Sequence, residues 1–294
     1  MTFAQSFVWV VASIAILAAV SYGAVLRPFL EIRKQRRAPF TERLLRPAGE
    51  SSRLRLEEYE ERFVECYVVT ALVSCALPLL ALVVTSYLWA AIVLSVGGVG
   101  LYTAVRRLRR VIEQRANLRL GFQGERVTAE YLLPLLARGY EVFHDIPAES
   151  PDGERFNLDH VIVGPNGVFV VETKMRRKDM THQGDKRAKV RYDGKELHFP
   201  GVRTDQPLRQ VLGNCRWLSG ALCGRTGTPV AVRGIVSLPG WFVSDATRDP
   251  VPAVRNPKNI PDWVMRQRPS GPPLPPDQLR RIIAALREWS AIAI

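Results

Sequence analysis

From Cys66 to Val105 the chain runs for 40 residues without a charged side chain, and few arrangements accommodate that. One helix of this length would measure about 60 Å, twice the hydrocarbon thickness of a bilayer. Two helices with a tight turn near Thr85-Ser86-Tyr87 fit better. Pro78 would kink the first, and Gly97, Gly98 and Gly100 would let the second pack closely. A buried hairpin inside a soluble protein is the competing reading. Met1 to Leu26 is uncharged as well, and Phe7 to Leu26 is 20 residues, enough for another crossing. A cleaved signal peptide would open on a basic stretch, yet no Lys or Arg precedes Arg27. The expectation is three spans, one in residues 1–27 and two in residues 66–105.

Charge orients them. Residues 28–65 read as a charged helical segment, with Arg33-Lys34-Gln35-Arg36-Arg37 placed to meet anionic headgroups. The acid-rich run from Leu54 to Glu65 reads as a solvated helix face. Residues 106–120 form a basic juxtamembrane linker opened by Arg106, Arg107, Arg109 and Arg110. By the positive-inside rule both segments are cytoplasmic and the amino terminus is outside. Three spans require the same arrangement, so charge and count agree. The expected location is a bacterial-type inner or plasma membrane with the soluble part in the cytoplasm. The net charge of +13 favours an anionic partner, either nucleic acid or the lipid bilayer. Cys66, Cys75, Cys215 and Cys223 have neither zinc spacing nor a disulfide pattern and read as reduced.

Beyond the basic linker, residues 157–174 read as a β-hairpin. Leu158–Val163 and Val168–Lys174 are apolar, β-branched runs around Gly164-Pro165-Asn166-Gly167, which is turn chemistry. Strand side chains alternate, so Glu172 and Lys174 share a face. A two-residue loop at Asn166-Gly167 sets Asp159 opposite Lys174. A four-residue loop, Gly164 to Gly167, sets it opposite Glu172. Either way Asp159, Glu172 and Lys174 converge on one face; a three-residue loop with a bulge would break this. Two carboxylates and a lysine suit a hard divalent ion beside a phosphate, with the lysine orienting water or meeting developing negative charge. The alternative is a cross-strand surface ion pair, against which stands the apolar setting of both acids.

Asp159 followed by Glu172-Thr173-Lys174 resembles the PD-(D/E)xK nuclease signature. With Gly121-Phe122-Gln123-Gly124-Glu125 upstream and the Asp159-His160 pair, residues 118–245 resemble the nuclease-related domain (NERD) family. The resemblance implies an α/β fold, a central mixed sheet flanked by helices, and a metal-dependent nuclease using Mg²⁺ or Mn²⁺. Asp159 and Glu172 would be metal ligands, Glu125 would join that acid set, and Lys174 would position the hydrolytic water. Glu125 also lies near a helix start, where a carboxylate is favoured by the dipole alone. Gln210 resembles a glutamine that related nucleases place near the active site; an exposed helix glutamine is the alternative. Met175 departs from the small polar residue that many members carry after the lysine.

The remaining sequence completes the domain, taken as residues 121–249. Val127, Tyr131, Leu132, Leu135 and Leu136 have helical spacing up to Gly139, with Pro134 set to kink or shorten the helix. Tyr140–Ile146 alternates like a strand. His144 reads as structural, and His160 points to the face opposite Asp159 as packing or a donor to its neighbours. Arg176, Arg177, Lys178, Lys186, Arg187 and Lys189 follow the hairpin with few acids between them, suiting contact with phosphate backbone, DNA ahead of RNA; a plain solvated loop is the other reading. Tyr192–Lys195 is a hairpin turn, a helix opens near Asp205, and Thr228–Leu238 is a buried strand. Residues 250–276 read as an irregular Pro-rich wrap, since nine prolines fall between Arg248 and Pro276. Residues 277–294 read as a docking helix capped by Asp277. No Gly-rich phosphate loop and no local Ser-His signature is present. Besides the nuclease, two functions fit: a non-catalytic tethered scaffold holding nucleic acid or protein, and a lipid-binding regulator.

Overall fold

The computed structural model describes residues 43–83, 86–178, 188–245, 250–268 and 274–293. The expected first span, the Arg33–Arg37 cluster, Lys186 and Arg187 lie outside them. Two compact units result. One contains residues 59–114, and the other contains residues 43–58 and 115–292.

In the first unit the described backbone is helical. Helix α1 spans Glu50–Val83, and helix α2 spans Tyr87–Leu132. The expected turn falls between them, with Thr85 outside the described residues. Gly97 faces Leu77 so closely that a Cβ would lie 1.7 Å from its Cδ2, so a larger residue would require the leucine to move. Among the described residues nothing lies within 4 Å of a Cβ built at Gly98 or Gly100. Large apolar side chains stand exposed along both helices, among them Tyr67, Leu72, Leu88, Trp89 and Val96. Among the described residues one helical run, from Tyr87, is long and apolar enough to cross a membrane, and none of its apolar window is buried.

The second unit is built on a five-stranded sheet. Strand β1 (Arg43–Leu45) lies outside that sheet, in a two-stranded ribbon with Ala291–Ala293, and Arg46 N donates to Ser290 O at 2.8 Å, joining the start of the unit to its end. No break separates residues 106–120 from those that follow, because α2 runs on to Leu132. Pro134 then sits at the start of a 3-10 turn, Leu133–Arg138, closed by Gly139 at φ 79°. There the missing N–H of proline costs nothing. The strands are β2 (Glu141–Glu149), β3 (Arg155–Gly164) and β4 (Gly167–Thr173). A second group follows with β5 (Lys189–Tyr192), β6 (Leu197–Phe199) and β7 (Val202–Thr204). Helix α3 (Gln206–Thr226) crosses to β8 (Val232–Ser237), then β9 (Phe242–Asp245) and β10 (Ala253–Arg255).

The main sheet has the order β10-β8-β4-β3-β2, with β2, β3 and β4 antiparallel and β8 and β10 parallel additions. A smaller sheet has the order β7-β6-β5-β9. β3 and β4 are buried on both faces, as their near-continuous apolar runs require. One face, with Val161, Val163, Val168 and Val170, packs on α3, on helix α5 (Pro276–Trp289) and on the smaller sheet. The other face, with Ile162, Phe169 and Val171, packs on Leu132, Leu135 and helix α4 (Ile260–Arg266). A mixed α/β architecture with two mixed sheets flanked by helices results.

Two expectations are corrected. The Pro-rich stretch is not irregular throughout: it contains β10, a 3-10 turn at Pro257–Asn259 and α4. Pro257 and Pro261 fall in first helical turns, where proline is tolerated. Asp277 does not cap the last helix, because Pro275 holds the cap position and Asp277 lies within the first turn. The helix does dock, burying Ile282, Ala285 and Leu286.

Candidate active site

The hairpin positions the first residues. Gly164 pairs with Gly167 and His160 with Val171, so Pro165-Asn166 is the two-residue loop and the register carries Asp159 opposite Glu172. That is the pairing expected of the four-residue alternative, extended by one rung. Asn166 is no mere turn residue. Its Nδ2 donates to Val264 O and Gln267 O, while its Oδ1 accepts from Tyr140 OH at 3.0 Å, pinning the loop to the core.

Asp159 and Glu172 are both buried, at 8% and 1% exposure, so neither belongs to a solvated surface pair. Asp159 Oδ2 accepts the backbone N–H of Thr173 at 2.7 Å. Glu172 Oε1 lies 2.7 Å from Lys174 Nζ, and Glu172 Oε2 accepts from Asn214 Nδ2 at 2.9 Å. Glu125, from α2, accepts from Ser52 Oγ at 2.6 Å through Oε1, while its buried Oε2 has no hydrogen-bond partner among the described residues. About a third of the Lys174 side chain is exposed, which leaves the ammonium reachable from solvent.

The electrostatics follow from burying several like charges together. Burial pushes Glu125 up to about 7, with Asp145 and Glu172 adding to the shift and Ser52 opposing it. Burial, reinforced by Glu172 and Glu125, holds Asp159 well above the usual carboxylate range against the Thr173 N–H. Glu172 is raised by burial, with Lys174 and Asn214 pulling back. Burial works to discharge Lys174, but Glu172, Asp159 and Glu125 outweigh it, and the ammonium is held above its ordinary value. Lys174 is therefore a fixed cation and hydrogen-bond donor, not a base.

Behind the site, on the opposite face of the strands, runs a buried polar chain. His144 Nδ1 meets His160 Nδ1 at 2.8 Å, His160 Nε2 meets Thr173 Oγ1 at 3.2 Å, and Thr173 Oγ1 donates to Thr128 Oγ1 at 3.3 Å. Burial holds His144 down at about 4 and His160 well below its ordinary value. Two neutral imidazoles can share that short contact, one donating and one accepting. The chain fixes Thr173, the residue whose N–H holds Asp159.

Gln210 does not join the cluster. Its Oε1 accepts from Gln206 Nε2 on the helix surface, and Asn214, one turn further along α3, reaches Glu172 instead. Ser52 and Asn214 were missed by sequence reasoning. Asn214 carried a signal, lying one helical turn after Gln210 on a face shared with Val211 and Leu218; Ser52 carried none. Arg176, Arg177 and Lys178 leave the end of β4 exposed, with Arg176 over the Phe199 ring at 5.2 Å, and Lys189 is exposed at the start of β5. Met175 fills the space over Gly124, where a Cβ would lie 2.0 Å from its Cγ.

One consequence is measurable without a substrate. A carboxyl group whose folded pKa is raised binds more protons in the folded state, so it lowers stability as pH climbs from about 4.5 to about 7. Glu125→Gln removes that cost. At about 1.4 kcal/mol per pH unit, the metal-free variant should exceed the parent by up to about 3 kcal/mol at pH 8, and match it at pH 4.5. Urea unfolding in EDTA at both pH values checks this, and a gap independent of pH would refute it.

Among the described residues, no three His, Cys, Asp or Glu side chains are gathered tightly enough to cage an ion by themselves. Magnesium seldom asks for such a cage: it binds through one or two carboxylates and keeps several waters. Asp159, Glu172 and the unpartnered Glu125 Oε2 supply donors of that chemistry.

Over 67 residues the chain is 31% identical to an uncharacterized protein of Bacillus anthracis, a match covering 23% of this chain and 32% of that protein. The chain thus spans about a third of the length of the curated relative it matches. No solved structure matches it. The segment carrying Glu125, Asp159, Glu172, Lys174 and Asn214 is the one that the model of the nuclease-related domain (NERD) family matches, at residues 120–239.

Proposed function

We propose that this domain hydrolyses phosphodiester bonds of nucleic acid with a divalent metal ion, and that the uncharged helices hold it at a membrane. The observation that carries the reading is the burial of Asp159, Glu172 and Glu125 around a lysine that stays charged. Burying three acids costs stability, and a cluster held together against that cost is what a cation site requires. Mg²⁺ or Mn²⁺ would be held by Asp159 and Glu172 with Glu125. When bound, the ion neutralises charge on the phosphate and lowers the pKa of water.

The chain's own groups do the rest. Thr173 N–H and Asn214 Nδ2 orient one oxygen each of Asp159 and Glu172. Ser52 holds Glu125 with its second oxygen free. Lys174, bonded to Glu172 yet partly open, offers its remaining N–H donors to a phosphate oxygen or an incoming water. Arg176, Arg177, Lys178 and Lys189 provide exposed positive charge for a polyanion, and that binding should weaken with salt. Labelled single- and double-stranded DNA and RNA, incubated with the full chain in Mg²⁺, Mn²⁺ or EDTA, test the reading. Metal-dependent cleavage of any of them supports it, and intact substrates throughout would sink it.

One observation favours a second reading. Both Glu172 oxygens are already satisfied by protein partners, which suits a non-catalytic scaffold; that reading predicts salt-sensitive binding indifferent to EDTA and to Glu172→Gln. For the membrane, the exposed apolar side chains of α1 and α2 support insertion, and the arginines from Arg106 to Arg110 favour a cytoplasmic domain. The protein should resist alkaline extraction from membranes, and release by high pH alone would contradict this.

A further inference from the structure

One strand over from the carboxylate cluster lies a concavity of about 660 Å³. Its apolar wall is aromatic. Phe156 and Trp217 meet edge to face with centroids 5.6 Å apart, and Trp217 and Trp289 lie 6.2 Å apart at a 59° tilt. All three are half-buried, one flank in the core and one in the groove. The Trp217 Nε1–H donates to Glu149 O at 2.8 Å, which fixes the indole. An aromatic cap on a core needs no cavity next to it, and this one has it.

The rim is basic. Arg46, Arg55 and Arg155 line the groove against one carboxylate, Glu149. Arg46 is spent on the buried Asp145, 2.7 Å from its Nε. Arg155 touches Glu149 only at 3.8 Å, with both side chains largely exposed. Arg55 is exposed and has no acidic partner among the described residues. Two arginine charges therefore line the same groove as the aromatic rings, a pairing that matches a phosphate joined to a flat base.

The groove is also next to the proposed chemistry. Arg46, Ser51 and Asn157 from its wall all bond to Asp145. The flanking pairs His144–His160 and Ile146–Leu158 put Asp145 opposite Asp159 on the neighbouring strand. A nucleotide in the groove would thus sit one strand away from the acid that anchors the cluster.

We infer that this groove binds one unpaired nucleotide unit, its base against Trp217 and its phosphate on Arg55 and Arg155. Nucleic acid as the source of that unit rests on the nuclease reading; the groove chemistry itself also admits a free mononucleotide. Duplex DNA cannot present an unstacked base, so the site selects single strands or frayed ends.

The test titrates the full chain, in EDTA, with a short fluorescein-labelled single-stranded oligodeoxynucleotide, the same strand with abasic sites, the matching duplex, and dAMP. The intact single strand should bind roughly tenfold more tightly than its abasic counterpart and quench tryptophan emission. Arg55→Ala combined with Arg155→Ala should lower the log–log salt slope by roughly 1.4, and Trp217→Leu should erase the preference for bases. Binding of the strand and of dAMP both support the site, and their relative strength identifies the source. Equal binding of intact, abasic and duplex forms would overturn it, with no variant needed. Repeating the titration with Asp159→Asn separates the two claims. If cleavage is absent everywhere but base-dependent binding persists, the nuclease reading falls and the groove stands. If cleavage occurs and base preference is absent, the reverse holds.

Discussion

Lys174→Ala should slow metal-dependent cleavage of nucleic acid by about 10²–10³-fold, the usual cost of deleting one preorganised donor at a developing charge. Its Nζ is 2.7 Å from Glu172 Oε1, and three acids hold it protonated. The variant therefore removes a permanent cation and frees Glu172 from its partner. Lys174→Arg keeps the charge but changes the reach and should recover only part of the rate. Asp159→Asn should lose at least as much, because the amide keeps an acceptor for Thr173 N–H but has no charge for an ion. Neither change should unfold the domain. Asp159→Asn in particular removes a buried charge whose ionisation is opposed by Glu172 and Glu125, so its melting temperature in EDTA should equal or exceed that of the parent. Rates at saturating metal, with circular dichroism as the folding control, decide the matter. Undiminished cleavage by either variant would remove the cluster from the chemistry.

Asp145→Ala is the expected severe stability variant. Asp145 is fully buried and is the one described non-glycine residue with positive φ, 48°. Its Oδ2 takes Arg46 Nε at 2.7 Å, Ser51 N at 3.0 Å and Ser51 Oγ at 2.9 Å, and its Oδ1 takes Asn157 Nδ2 at 2.8 Å. Truncation leaves the Arg46 guanidinium, 13% exposed, without a counter-charge. Removing one partner of a buried pair costs about 3–5 kcal/mol, or roughly 6–20 °C in melting temperature for a domain of this size. Asp145→Asn, which keeps one acceptor and tolerates the left-handed backbone, should lose less. Asp145 also anchors the residue next to Ser52, the donor to Glu125, so Asp145→Ala should weaken metal binding as well. Thermal unfolding of both variants checks the order, and equal stability of parent and Asp145→Ala would contradict it.

The hairpin was readable because everything that defines it is local. Period-two alternation and a Gly-Pro-Asn-Gly turn act within a few residues, and they bring Asp159 and Glu172 to one face whichever even loop forms. Choosing between the two registers needed Asn166, whose amide is claimed by Val264 and Gln267. The short helix in the Pro-rich stretch was hidden for a different reason. Proline was taken as a breaker, whereas Pro257 and Pro261 occupy first turns and start helices. Local pattern could set Asn214 on the buried face of α3 but could not say whether it or Gln210 meets the acids. Both are polar residues on one amphipathic helix, and only the docking angle of α3 selects the one that reaches Glu172.

By itself, the order of amino acids determined the uncharged helices, the alternating strands and the gathering of two acids with a lysine, because backbone periodicity carries that information across short distances. The tertiary structure decided which charges are paired and which are left open: Asn214 on Glu172, Ser52 on Glu125, Arg46 on Asp145. Those partners come from elements dozens of residues apart, and packing alone places them within hydrogen-bond reach.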